Sequence, residues 1–157
     1  MTHPFERRDW IAASVIALIA AFVVVYMRGP DPTYLDSYYH FNAAERLASG
    51  AGLTDTYLWI YLGLPPDLAQ PITITPSHLY WMPMTSLISG IFMTVFGATT
   101  AIAMIPMVLC LAGAILIAAL AGGWIGGEKR HALIAAALMV AGGSYINFWG
   151  EIDTFAP

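Results

Sequence analysis

Charge is what this chain lacks most. Only 10% of its 157 residues are Asp, Glu, Lys or Arg, where an ordinary soluble domain carries about 25%. Six basic residues stand against ten acidic ones, so no cationic field exists to hold a nucleic acid. Cysteine is nearly absent. Cys110 stands alone in an apolar run, which excludes a disulfide framework and a thiolate metal site. There is no Ser or Cys nucleophile signature, no zinc-binding His-Glu-x-x-His helix and no Walker loop. What the chain has in abundance is apolar sequence, 59% hydrophobic with a mean hydropathy of +0.69. That balance excludes a disordered chain and an ordinary soluble enzyme, and it predicts an all-α integral membrane protein.

Residues 10–27 form an uncharged run of 18, about 27 Å as a helix and close to the roughly 30 Å of a bilayer's hydrocarbon core. No small-x-small cleavage site follows at 23–27, so the run reads as an uncleaved first span rather than a secretory leader. Arg7 and Arg8 place the tail, residues 1–9, in the cytoplasm. Residues 28–97 then form a long extracytoplasmic loop, too long to be structureless and expected to hold short helices. Residues 80–127 carry no charge at all, and the span count depends on how they are divided. If 80–97 lies along the outer interface, as Tyr80, Trp81 and Pro83 favour, there are about three spans: 10–27, 98–124 and 132–150. Residues 125–131 are then a cytoplasmic turn, and Arg7, Arg8, Lys129 and Arg130 share the inner face. If 80–97 crosses instead, there are four spans, and the chain reads as a small non-enzymatic multi-pass protein or transporter fragment. The positive-inside bias prefers three. Either way the expected location is the cell membrane.

Three places could carry chemistry. Residues 36–50 have the spacing of a short helix capped by Asp36 or Ser37 and stopped at Gly50. Positions 36, 40, 43 and 47 share a face, which sets Asp36 beside His40. The same pattern also suits a plain N-cap with interfacial aromatics. Glu151 and Asp153 are an acidic pair two residues apart, which on a helix would point apart, so a shared cation there needs a turn or an extended segment. Hard oxygen donors select Mg²⁺ or Mn²⁺; a solvated cap at the end of a span fits the pair as well. His78, where the chain returns to the interface, can bind a lipid phosphate or act as an interfacial anchor. His40 and His78 are thus the candidate substrate-binding residues. In the three-span arrangement Glu151 and Asp153, in 151–157, emerge on the same face as Asp36.

The order of these features resembles the N-terminal part of GT-C fold membrane glycosyltransferases. They are a short basic tail, one span, Asp36-Ser37-Tyr38-Tyr39-His40 opening an outer loop, an interfacial helix, two more spans around a basic turn, and Glu151-Ile152-Asp153. The likeness is greatest to the catalytic subunit of oligosaccharyltransferase and more distant to protein O-mannosyltransferases and aminoarabinose transferases. The resemblance implies transfer, with inversion, of a sugar or glycan from a polyprenyl-phosphate-linked donor to an acceptor on the extracytoplasmic face. It implies Asp36 as the catalytic carboxylate, and Asp36, Glu151 and Asp153 as holders of a divalent cation, Mg²⁺ or Mn²⁺. The family usually has Asp where Glu151 stands. Its members are several times longer, so this chain is expected to be a front portion without turnover of its own.

Overall fold

The structure is a computed structural model that describes residues 6–29, 31–55, 74–79, 81–142, 148 and 151–153. Five helices make up most of them: α1 (Arg7–Arg28), α2 (Leu35–Ala48), α3 (Met84–Phe96), α4 (Thr100–Gly126) and α5 (Lys129–Ala141). Two short strands, β1 (Thr54–Asp55) and β2 (Thr75–Pro76), pair antiparallel with Thr54 opposite Pro76. Asp67, the closing part of the span expected over 132–150, and 154–157 lie outside the described residues. The chain divides into two compact units, one built from residues 1–30 and 104–151, the other from 31–103 and 152–155.

In the first unit α1, α4 and α5 meet through small side chains. Ala17 and Ala21 of α1 bury against Leu111, Ala112 and Ile115 of α4, with Ala136, Met139 and Val140 of α5 beside them. The bulky apolar residues point away from this core: Ile11, Ile16, Ile19, Phe22 and Tyr26 on α1, and Ile117, Trp124 and Ile125 on α4, are exposed. At one end Lys129 Nζ pairs with Asp9 Oδ2 at 2.7 Å, so the start of α1 and the α4–α5 turn lie together. α1 and α4 are each long and apolar enough to cross a membrane.

Three boundaries differ from those expected. α1 opens at Arg7 rather than residue 10, because the Glu6 backbone N–H donates to Asp9 Oδ2 at 2.8 Å and starts the helix one turn earlier. The turn expected over 125–131 shrinks to Gly127 and Glu128. Gly127 takes φ +70°, a conformation glycine reaches without steric cost, and Glu128 is extended, so Lys129, Arg130 and His131 are already helical. The apolar segment 80–97 becomes a helix only from Met84, behind Pro83. At about 1.5 Å per residue its 13 residues are roughly 20 Å long, short of a bilayer's hydrocarbon core by about a third.

In the second unit α3 packs on α2 with its polarity inverted. Thr85, Ser86, Ser89, Gly90 and Met93 are buried, whereas Met84, Ile91, Val95 and Phe96 are exposed. The contact is close at Gly90, where an added Cβ would meet Leu47 Cδ2 at 2.8 Å and the Ala44 carbonyl at 3.2 Å. Ser89 Oγ donates to the Ala103 carbonyl at 3.0 Å. The far end of α2 is fastened by Arg46 Nε donating to Thr54 Oγ1 at 2.8 Å.

Because the Ala44 carbonyl cannot move without α2, Gly90→Val should destabilise this unit by about 1–3 kcal/mol, the usual cost of overpacking. Thermal unfolding in detergent and faster amide exchange along α2 would register it. Gly113 of α4 has open space around its Cβ position, so Gly113→Ala should leave the unfolding temperature unchanged or raise it.

Candidate functional site

α2 begins two or three residues earlier than the sequence pattern indicates. Its N-cap is Tyr34, not Asp36 or Ser37. Ser37 occupies the third helical position, where its hydroxyl donates to the Tyr34 carbonyl at 2.9 Å and leaves Asp36 free of capping duty. The face read from spacing is present. Asp36 is half-buried, His40 and Ala43 are buried, and Leu47 is partly buried against Gly90.

Asp153, far along the chain, sits in the same unit as this face. The Tyr34 hydroxyl, 119 residues away in sequence, donates to Asp153 Oδ2. Asp153 Oδ1 lies 3.6 Å from His40 Nε2, with both side chains out of solvent. The Asp36 carboxyl is held above its ordinary range, first by loss of water and second by the Asp153 charge. Glu151 belongs to the other unit. It is buried, and its backbone N–H donates to the Phe148 carbonyl at 3.1 Å. Residues 151–153 are not helical, as a cation shared by that pair requires.

Behind His40 runs a polar chain that the sequence reading missed. His40 Nδ1 lies 3.1 Å from Ser86 Oγ, and His78 Nε2 lies 2.9 Å from the same oxygen. The His78 Nδ1 meets Ser77 Oγ at 2.7 Å. The Tyr39 hydroxyl accepts the His78 backbone N–H, which holds that non-glycine residue at φ +61°. Both His78 ring nitrogens are thus engaged within the protein, by Ser77 and Ser86, where the sequence left open a lipid-phosphate ligand or an interfacial anchor. The signal for Ser86 was present as a stripe of small and polar residues, Thr85, Ser86, Ser89 and Gly90, at helical spacing inside an apolar segment.

Burial sets the protonation of both imidazoles. It pushes His40 down to about 4, against an upward pull from Asp153 and with a further push from His78. It lowers His78 also, with Asp55 opposing. Near neutral pH both rings are uncharged.

The donor chemistry here suits a divalent cation in one way only. Among the described residues no three His, Cys, Asp or Glu side chains form a group that could hold a metal, so there is no all-protein cage. Two carboxylates that repel each other in a partly dry place nevertheless fit a cation held by one or two protein groups and completed by water and substrate phosphate, as Mg²⁺ commonly is. No family model, no curated protein and no solved structure matches this chain.

Metal-free protein should lose stability on acidification. Unfolded His40 takes its proton near 6.5 and folded His40 only near 4. Its contribution is therefore full above pH 6.5, declines between 6.5 and 4, and is gone below that, about 3 kcal/mol over the window. Asp36, with its carboxyl raised, works in the opposite sense. Unfolding temperatures measured in EDTA from pH 7 to 4 should fall for the native chain and fall much less for His40→Gln.

Proposed function

We propose that this chain is a multi-pass protein of the cell membrane and part of an inverting glycosyltransferase. It would move a sugar from a polyprenyl-phosphate-linked donor to an acceptor at the extracytoplasmic face. The observation that carries the proposal is the meeting of Asp153 with Tyr34 and His40, beside Asp36. Carboxylates from distant parts of the sequence share one place, as a base-assisted transfer away from a phosphate leaving group needs.

Membrane spanning is supported by what α1 and α4 expose. Only 17% of the apolar stretch of α1 and 39% of that of α4 are buried, too little for core helices of a soluble protein. Small residues inside and large apolar ones outside are the arrangement of helices packed in lipid. The Lys129–Asp9 pair brings Lys129 and Arg130 to the end where Arg7 and Arg8 lie. That grouping supports a cytoplasmic inner end and three spans, with α3 at the outer interface, its apolar face toward lipid and its polar face on α2.

The chemistry asked of the residues is modest. The acceptor hydroxyl or amide attacks the anomeric carbon, the bond to the lipid phosphate breaks with its electron pair, and the acceptor's proton passes to a carboxylate. Asp36 is the group for that step, since desolvation and the neighbouring Asp153 charge make it a stronger base than a solvated carboxylate. Asp153, fixed by the Tyr34 hydroxyl, keeps its orientation through the reaction. A divalent cation held there would stabilise the negative charge on the departing phosphate.

The test is capture of a photoreactive polyprenyl-diphosphate sugar by the chain in nanodiscs, alongside sugar transfer by the polypeptide as its gene encodes it. Asp36→Asn and Asp153→Asn should each reduce transfer at least ~100-fold while leaving membrane insertion intact. Transfer that survives both substitutions would remove the proposed site. Failure to capture the donor would favour a non-enzymatic membrane protein.

A further inference from the structure

Where the start of α1 meets the α4–α5 turn, the first unit holds a cavity of about 200 Å³. Its walls are small or apolar, among them Ala13 and Ile16 of α1, Ile115 of α4 and Leu133 of α5. The charged residues that line it are Asp9 and Lys129, paired at 2.7 Å at one end. From Asp9 to Ile16 the groove follows α1 for roughly 10 Å. A void of this kind forfeits dispersion contacts along its walls. For helices that cross a bilayer, the filler at hand is a lipid acyl chain, which comes from hydrocarbon and gains those contacts.

The charged end decides which lipid. Asp9 Oδ2 takes both the Lys129 ammonium and the Glu6 backbone N–H, the latter at 2.8 Å. Asp9 Oδ1 and two of the three Lys129 protons are then unpaired among the described residues. A cation and an anion thus stand side by side, each with bonding capacity to spare. The surrounding charges nearly cancel: Arg8 pairs with Glu6 at 3.0 Å and Arg130 with Glu128 at 2.9 Å, which leaves Arg7 as the excess. A strongly anionic headgroup finds little field here, whereas a zwitterion matches both signs. We infer that this groove holds an acyl chain of one phosphatidylethanolamine of the cytoplasmic leaflet, with its phosphate on Lys129 and its ammonium on Asp9. Phosphate oxygens accept from Lys129 Nζ, and the primary ammonium donates to Asp9 Oδ1. Phosphatidylcholine carries the same charges, but its quaternary nitrogen has no N–H to give. The first turn of α5 has no acidic residue and its N-cap makes no side-chain hydrogen bond, so its N–H groups add to the pull on the phosphate. This inference rests on reading α1 and α4 as membrane spans with this end in the cytoplasm, and it is independent of the sugar chemistry.

The experiment places the full chain in nanodiscs of equal parts phosphatidylethanolamine, phosphatidylglycerol and phosphatidylcholine with identical acyl chains. Native mass spectrometry of the released protein then identifies the lipid it retains. One phosphatidylethanolamine per chain should dominate. Lys129→Gln and Asp9→Asn should each lower its occupancy at least ~5-fold, as loss of a charge-assisted hydrogen bond predicts. Ala13→Phe keeps the charged pair but fills the groove, and it should expel the lipid. Val15→Phe, on an exposed part of α1 outside the groove, should change nothing. Retention of phosphatidylglycerol instead, or of all three lipids equally, would overturn the inference. So would a lipid-free dimer, in which a second copy covers the groove, or lipid that survives Ala13→Phe. These outcomes are read on protein that has entered the bilayer, so they leave the membrane reading intact. A chain that never enters nanodiscs would overturn both. The lipid preference of the native chain decides the matter even if a variant misfolds.

Discussion

One proton on Ser86 organises the buried side of α2. Its oxygen sits among a carbonyl and two imidazoles, and it can satisfy all three only if both rings present N–H groups to it. That arrangement sets His78 between Ser77 and Ser86 and leaves His40 Nε2 facing Asp153. Buried polar groups of this kind specify a geometry when every member is satisfied and are costly when one is not. Ser86 reaches this position because Gly90, one turn along α3, lets the helix approach α2 as far as the Ala44 carbonyl. The small residue and the hydroxyl are one device. The glycine sets the distance, and the serine uses it.

The same economy of side-chain size holds in both units. Ala17, Ala21 and Ala112 fill the core where α1, α4 and α5 meet, and Gly122 and Gly126 lie so near His131 and Ala135 that any Cβ would collide. Close helix approach gains dispersion contacts along the whole interface, and it leaves the large apolar side chains nowhere to go but outward. In water that surface would drive aggregation. In hydrocarbon it is an ordinary exterior. The outward Ile, Phe and Val residues and the inward Ala and Gly are therefore two sides of a single packing choice.

How much of this was legible in the sequence depends on the range of the interaction. The Asp36–His40 face follows from a four-residue spacing that any helix imposes, and it is there. The apolar runs gave two of the long helices to within a few residues, because length and hydropathy act locally. The helix starts were less accurate for a physical reason. At Glu6 and Tyr34 the helix start is held by side chains of the first turn, Asp9 and Ser37, which accept the N-cap N–H, rather than by a short polar residue at the N-cap itself. Ser86 and Tyr34 were not legible as site residues, since what each does depends on a partner beyond its own helix, and a single sequence gives no register between helices. The engagement of both His78 nitrogens was hidden for the same reason.

Two contacts constrain the path of the chain more tightly than hydropathy can. Lys129 meets Asp9 in one unit, and Asp153 meets Tyr34 in the other. For a chain threaded through a bilayer, any two residues in contact at one surface are separated by an even number of crossings. Between Asp9 and Lys129 lie α1, α2, α3 and α4, and the first and last of these are the long apolar helices. An even count is met when only those two cross, which agrees with the 14 and 13 residues of α2 and α3. Between Tyr34 and Asp153 lie α2, α3, α4 and α5. The first contact thus bears on the short helices without reference to the charge bias, and the second couples α3 to α5. A crossing α3, by itself, would break the contact of Lys129 with Asp9.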